Sequence, residues 1–226
     1  MGVLGGLILK AVSGGLLLND LENYYNFEEA SGSLIDQHGS NDATNSGSLT
    51  YSQAGKVNDA ILFNTSGYFT QDSLIDLATT DFSISFWVKV TGGATGQMFI
   101  DFRDISSDGF YIRQVSSNLR MKWNGINHQT TKTTNDGNWH NIVWVVDRNT
   151  DTAVIYFDNT VALNHSVSGD LNVTTRNLRF GSQVVPSPGV YLTGLMDEVA
   201  IWKRVITVEE VATLWNSGNG ITYTDF

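Results

Sequence analysis

The chain has 226 residues, 41% of them apolar and 11% aromatic, ample for one packed domain. It has no cysteine, which excludes disulfides, thiolate zinc sites and cysteine nucleophiles. Its formal net charge is −10, with lysine and arginine scattered along the chain; that argues against nucleic acid or an anionic membrane as partner, because phosphate binding needs a basic patch.

Residues 1–20, "MGVLGGLILKAVSGGLLLND", form a compositional zone of their own. No basic region precedes the apolar run and no A-x-A site follows it, so it does not read as a secretory signal. Lys10 and five glycines interrupt it too often for a membrane span, which needs roughly 20 unbroken apolar residues. Three readings stay open: a strand or loop laid on its own domain, an arm held by another chain, and a signal or membrane segment. The second is the expectation carried forward. Leu4, Leu7, Ile8, Leu9, Val12, Leu16, Leu17 and Leu18 offer apolar area that a sandwich beginning at residue 21 has no evident need of, at roughly 1.5–3 kcal/mol for each side chain buried. Residues 21–226 are then the domain proper. The arm implies a homo-oligomer or a subunit of a larger assembly.

From residue 22 the hydrophobic period is two. Strands are expected near 22–28, 60–63, 67–70, 97–102, 109–115, 118–124, 172–180 and 190–202. "FSISFWVKV" (82–90) places Phe82, Ile84, Phe86, Val88 and Val90 on one face, with Trp87 opposite. "HNIVWVVD" (140–147) is apolar on both faces, and "TAVIYFDNTVALNHSV" reads as a hairpin turning at Asp158-Asn159. Many short strands at this spacing predict an all-β, two-sheet antiparallel sandwich. One short helix is expected near the end: Thr207 and Glu210 form a capping box, Ile206 and Val211 a staple, and Gly218 the stop.

Four stretches, "YYNFEEASGSLIDQHGSNDAT" (24–44), "DFSISFWVKV" (81–90), "DGNWHNIVWVVDR" (136–148) and "LTGLMDEVAIWKRVITVEEVATLW" (192–215), carry a family likeness. Over residues 22–217 the chain resembles the laminin-G-like, concanavalin-A-like jelly rolls, in the branch common in bacterial surface proteins and phage structural proteins. It departs from them at Asn159-Thr160, where a glycine is usual, and at Trp144 and Trp202, where smaller residues or tyrosine are commoner. The fold hosts lectins, adhesion modules, glycosidases and scaffolds alike, so function has to come from the residues.

The resemblance implies a structural Ca²⁺ where the loop after the first strand meets the last strand. Asp36, Gly39, Asn41, Asp197 and Glu28 are its expected ligands, and Glu198 is expected on the opposite face. Calcium takes six to eight oxygens, and two carboxylates brought together without a cation would repel. Jelly-roll glucanases set two acids on one strand in an E-x-D-x-x-E pattern, and that pattern is missing here. There is no G-x-S-x-G elbow, and the four histidines lack metal-ligand spacing. The chain therefore reads as non-catalytic. For sugar stacking, Trp87, Tyr111 and Trp123 are the aromatics expected to be available. Together these features predict a virion structural protein (decoration, fibre or tail) whose lectin-like domain is displayed on the particle for carbohydrate or host-surface adhesion. The alternatives are an extracellular or cell-surface carbohydrate-binding module and, third, a jelly-roll glycoside hydrolase.

Overall fold

A computed structural model describes residues 16–72, 75, 77–93, 96–103, 108–171, 177–184 and 189–226. Its strands are β1 (Leu21–Tyr25), β2 (Thr44–Ser46), β3 (Leu49–Ala54), β4 (Asp59–Asn64) and β5 (Tyr68–Gln71). They continue as β6 (Phe82–Val90), β7 (Gln97–Arg103), β8 (Gly109–Val115), β9 (Asn118–Trp123) and β10 (Ile126–Thr133). The remainder are β11 (His140–Asp147), β12 (Thr152–Phe157), β13 (Thr160–Ser166), β14 (Leu178–Phe180) and β15 (Thr193–Trp202), followed by helix α1 (Val208–Trp215). One sheet runs β13-β12-β11-β6-β15-β4-β3, with β1 also on β15, and the other runs β10-β9-β8-β7-β14-β5-β2. All pairings are antiparallel, giving the two-sheet sandwich that the alternation predicts and the jelly-roll class that the resemblance implies. The expected neighbourhood of first and last strands is present, with Tyr24 opposite Ala200.

Alternation builds two cores. Phe82, Ile84, Phe86, Ile142, Trp144 and Val146 point between the sheets, where Phe110, Trp123 and Phe180 of the other sheet meet them. Val143, Val145, Ala200 and Trp202 point outward and pack with Val211 and Leu214 of α1 and with Phe226. The helix therefore covers the outer face of the eight-stranded sheet. Its capping box forms as expected: Thr207 Oγ1 accepts from Glu210 N at 3.2 Å, and Thr207 N donates to Glu210 Oε2 at 2.7 Å.

Leu17 is fully buried in this outer core, and its carbonyl accepts from Trp202 Nε1 at 2.6 Å. The described end of the N-terminal segment thus belongs to the domain, and the arm cannot extend through Leu17. Leu16 and Leu18 remain exposed, at 48% and 40%. Leu4, Leu7, Ile8, Leu9 and Val12 lie outside the described residues.

Candidate functional site

The outward face of the seven-stranded sheet is polar in register. A single transverse row crosses all seven strands: Thr44, Thr70, Arg179, Asp101, Tyr111, Lys122 and Asn127 stand opposite one another in turn. The next row carries Arg113, Arg120 and Gln129. Their strand neighbours Ile100, Phe110, Ile112, Met121 and Phe180 are wholly buried between the sheets, which fixes these polar side chains on the outside. Arg103, Arg113 and Lys122 crowd the Tyr111 ring at 4.9, 5.0 and 5.9 Å from its centroid. Tyr111 Oη donates to Asn127 Oδ1 at 2.6 Å. Arg103 is pinned by a two-point bond to the fully buried Asp101, Nε to Oδ1 at 2.7 Å and Nη2 to Oδ2 at 2.5 Å. Burial pulls the Arg113 guanidinium down from its ordinary value, and neighbouring Arg120 and Arg103 add to that. Burial lowers Lys122 in the same way, with Arg103 second.

A second polar cluster lies on the other sheet, at a bulge in β15. Between Asp197, opposite Trp87, and Ala200, opposite Ser85, the strand carries one extra residue, and Glu198 adopts φ 53°. The extra residue breaks the alternation. Asp197 shares the outward side of Trp87, which stacks on Trp215 at 5.2 Å. Glu198 lines a small void with Trp87, Leu214 and Phe226 and so also faces outward, not to the opposite face as the plain alternation predicts. Asp197 Oδ2 accepts from Lys56 N and Val57 N at 2.8 and 2.9 Å, whereas its buried Oδ1 has no partner. Any Cβ at Gly55 would collide with the Asp59 carbonyl oxygen and lie 2.9 Å from Asp197 Oδ2, so the turn closes tightly around the carboxylate. Burial, chiefly, pushes the Asp197 carboxyl up to about 8, with the backbone N–H groups of Val57, Lys56 and Glu198 opposing and the Glu28 charge adding. Burial alone lifts Glu198 to about 9. Glu28 and Glu198 also line a cleft of about 190 Å³ with Tyr24, Asn26 and Asn58.

Asp36 does not join them. Its carboxylate accepts from Asn23 Nδ2 and from the backbone N–H groups of Tyr24, His38, Gly39 and Asn41, at 2.5 to 3.2 Å. Gly39 and Asn41 present hydrogens to it, not carbonyl oxygens, and a ring of donors holds an anion rather than a cation. Of the five expected calcium ligands, only Asp197 and Glu28 are brought together. Among the described residues no three His, Asp or Glu converge as a metal cluster, so any further oxygens would come from backbone and water. The expected stacking aromatics fare no better. Trp123 is 1% exposed within the inter-sheet core and Trp87 is 2% exposed beneath α1. Tyr111, 5% exposed, is on the polar face but covered by its cations. Arg103, Arg113, Arg120 and Arg179 form a group that is not visible in the sequence, although each sits at an outward position of its strand.

A family model described as the concanavalin A-like lectin/glucanases superfamily matches residues 63–212, about two thirds of the chain. The chain belongs to this laminin-G-like branch of the superfamily. No curated protein sequence matches it. Among solved structures, this superfamily member is similar to the binding domain of botulinum neurotoxin serotype D/C (TM-score 0.69, 14% identity, covering 89% of this chain and 53% of that one). The type G neurotoxin receptor binding domain aligns with TM-score 0.66 and 15% identity over 88% of this chain and 51% of that one. This chain therefore spans about half the length of those domains. Domain 4 of an extracellular arabinanase from Geobacillus stearothermophilus, solved in complex with arabinotriose, matches with TM-score 0.66 and 18% identity over 85% of this chain and 96% of that domain. At these identities the likeness is one of fold.

Proposed function

We propose that this domain is a non-catalytic carbohydrate-binding module whose site is the outward face of the seven-stranded sheet. The observation that carries the reading is the polar row running from Thr44 to Asn127 across all seven strands, a length of side chains in register. Extended saccharides suit such a strip because ring hydroxyls repeat as donors and acceptors. The arabinotriose complex of a domain of the same fold supports the ligand class. Glycosidic cleavage would need two accessible carboxyls facing one sugar. The carboxylate in this row, Asp101, is wholly buried and tied to Arg103 and to Val184 N, so it has no proton-transfer role.

The cation expected from the family is proposed at Asp197, with Glu28 beside it. The orphaned, buried Oδ1 of Asp197 is the support for it. A bound Ca²⁺ would neutralise two carboxylates and tie β15 to the segment after β1. The finer reading, a subunit displayed on a virion or other particle through the segment ahead of Leu17, rests on the apolar composition of that segment alone.

A glycan array spanning neutral and acidic plant, bacterial and animal glycans tests the function. Binding without bond cleavage is the expected result. Turnover that disappears with a single Asp or Glu substitution would replace the module reading with the hydrolase.

A further inference from the structure

In a chain of net charge −10, five of the 13 lysines and arginines gather on one sheet face: Arg103, Arg113, Arg120, Lys122 and Arg179. Strand pairing brings this about, since these residues are dispersed over 77 positions of sequence, from 103 to 179. Two carboxylates accompany them. Asp101 is consumed by its two-point bond to Arg103, and Asp108 is near enough to act on Lys122. The face is therefore left with an excess of positive charge.

At Arg113 that excess meets no bonded carboxylate, since the nearby Asp101 is bonded to Arg103. The Arg113 guanidinium lies over the Tyr111 ring, faces Arg120 across the strand pair, and its buried Nε has no hydrogen-bond partner. Arg179 repeats the pattern: it lies 4.7 Å from the Tyr68 centroid, spends Nη1 on the Gln183 carbonyl, and leaves a buried Nε unpartnered. A half-buried guanidinium without an anion is costly, and an arriving carboxylate or sulfate would meet donors already held in place by the aromatic rings. Gln129, whose Oε1 accepts from Arg120 Nε at 2.6 Å, and Asn127, whose Oδ1 accepts from Tyr111 Oη, border the same spot with amide groups suited to sugar hydroxyls.

We infer that this face selects acidic carbohydrate, a uronate- or sulfate-bearing glycan whose anionic groups are taken by Arg113 together with Lys122 and Arg179. The inference rests on the carbohydrate-binding reading above and adds the charge of the ligand and the residues that read it.

Isothermal titration with polygalacturonate and with neutral arabinan tests it, using the intact protein and the variants Arg113→Gln, Lys122→Gln and, as an off-face control, Lys203→Gln. Polygalacturonate is expected to bind, more weakly as salt is raised from about 50 to about 300 mM. Arg113→Gln should weaken it about tenfold or more, the size of one lost charge-assisted contact. Lys122→Gln should weaken it severalfold and Lys203→Gln should leave it within about twofold. Unchanged near-ultraviolet circular dichroism certifies the fold of each variant. If arabinan binds and polygalacturonate does not, or if both face variants bind polygalacturonate like the parent, the inference fails while the carbohydrate-binding reading stands. If no array glycan and neither polysaccharide binds, the broader reading fails with it. Duplex DNA or phosphatidylserine vesicles competing as well as polygalacturonate would overturn the carbohydrate class.

Discussion

At the scale of single residues, adjacent acids in "MDEV" behave in a way that alternation does not anticipate. The left-handed Glu198 lets two neighbouring carboxyls face one side, and burial raises both, to about 8 for Asp197 and about 9 for Glu198. The folded state keeps protons that the unfolded chain releases at the ordinary values of 3.8 and 4.5. Their contribution to stability is therefore complete below those values and is lost as pH rises towards 8 and 9, by about 1.4 kcal/mol per pH unit for each group. The cation proposed at Asp197 would work against this loss, because it would favour the ionised carboxylate. Millimolar calcium should then raise the unfolding midpoint at about pH 8 and do so much less at about pH 5. Asp197→Asn should abolish the response. Asp36→Asn should lower stability by roughly 2–4 kcal/mol, since five donors lose their anion, yet keep the calcium response. Thermal melts with EDTA and with calcium at both pH values decide it, and a response that tracks Asp36 instead would restore the turn as the cation site.

At the scale of elements, β10 and β13 are the outer strands of their two sheets, and a pair of histidines joins them. His128 and His165 stack at 3.9 Å between centroids, and Trp144 Nε1 donates to His165 Nε2 at 3.2 Å. Burial is the first cause that lowers both imidazoles, and the second ring lowers His165 further, to about 4. Depressed histidines contribute stability that is present above 6.5 and drains away as pH falls towards the folded value. His140, raised by Asp158 and Asp136 against its burial, works in the opposite sense, so a bulk melt mixes the two. Site-resolved NMR titration separates them: His128→Phe keeps the stack but removes the second charge, and the His165 pKa should move upward. An unmoved or lower value would mean that burial alone sets it. None of this was legible in "INHQTTKT", which has too little apolar alternation to read as a strand, and β2 and β3 escaped for the same reason. The central strands, buried on one face or both, could be read directly because alternation is strongest where a core enforces it. The cation cluster was hidden for a complementary reason. Each arginine occupies an ordinary outward position, and only pairing register, which sequence spacing does not carry, stacks them into neighbouring rows.

At the scale of the whole molecule, the boundary between the domain and the segment before it falls earlier than composition suggests. Leu16, Leu17 and Leu18 look alike in sequence. Yet the chain buries only Leu17, clamps its carbonyl with Trp202, and holds the carbonyls of Leu16 and Asn19 with Arg204, itself paired to Glu210 at 2.6 Å. Residues 16–20 therefore act as a strap over the outer core, and any assembly function falls to the residues ahead of them. Removing residues 2–15 should leave a folded domain with an unchanged melt, because none of these strap bonds is touched. Leu17→Ala in the intact chain should cost roughly 2–4 kcal/mol, the range for truncating a fully buried leucine beside a packed tryptophan. Sedimentation of the two proteins against the parent then separates assembly from folding. The arm reading expects the shortened chain to run as a smaller species than the parent, and Leu17→Ala to keep the parent's size while melting earlier. If the shortened chain and the parent sediment alike, residues 2–15 are not an assembly element, and the exposed Leu16 and Leu18 become the next apolar contacts to vary.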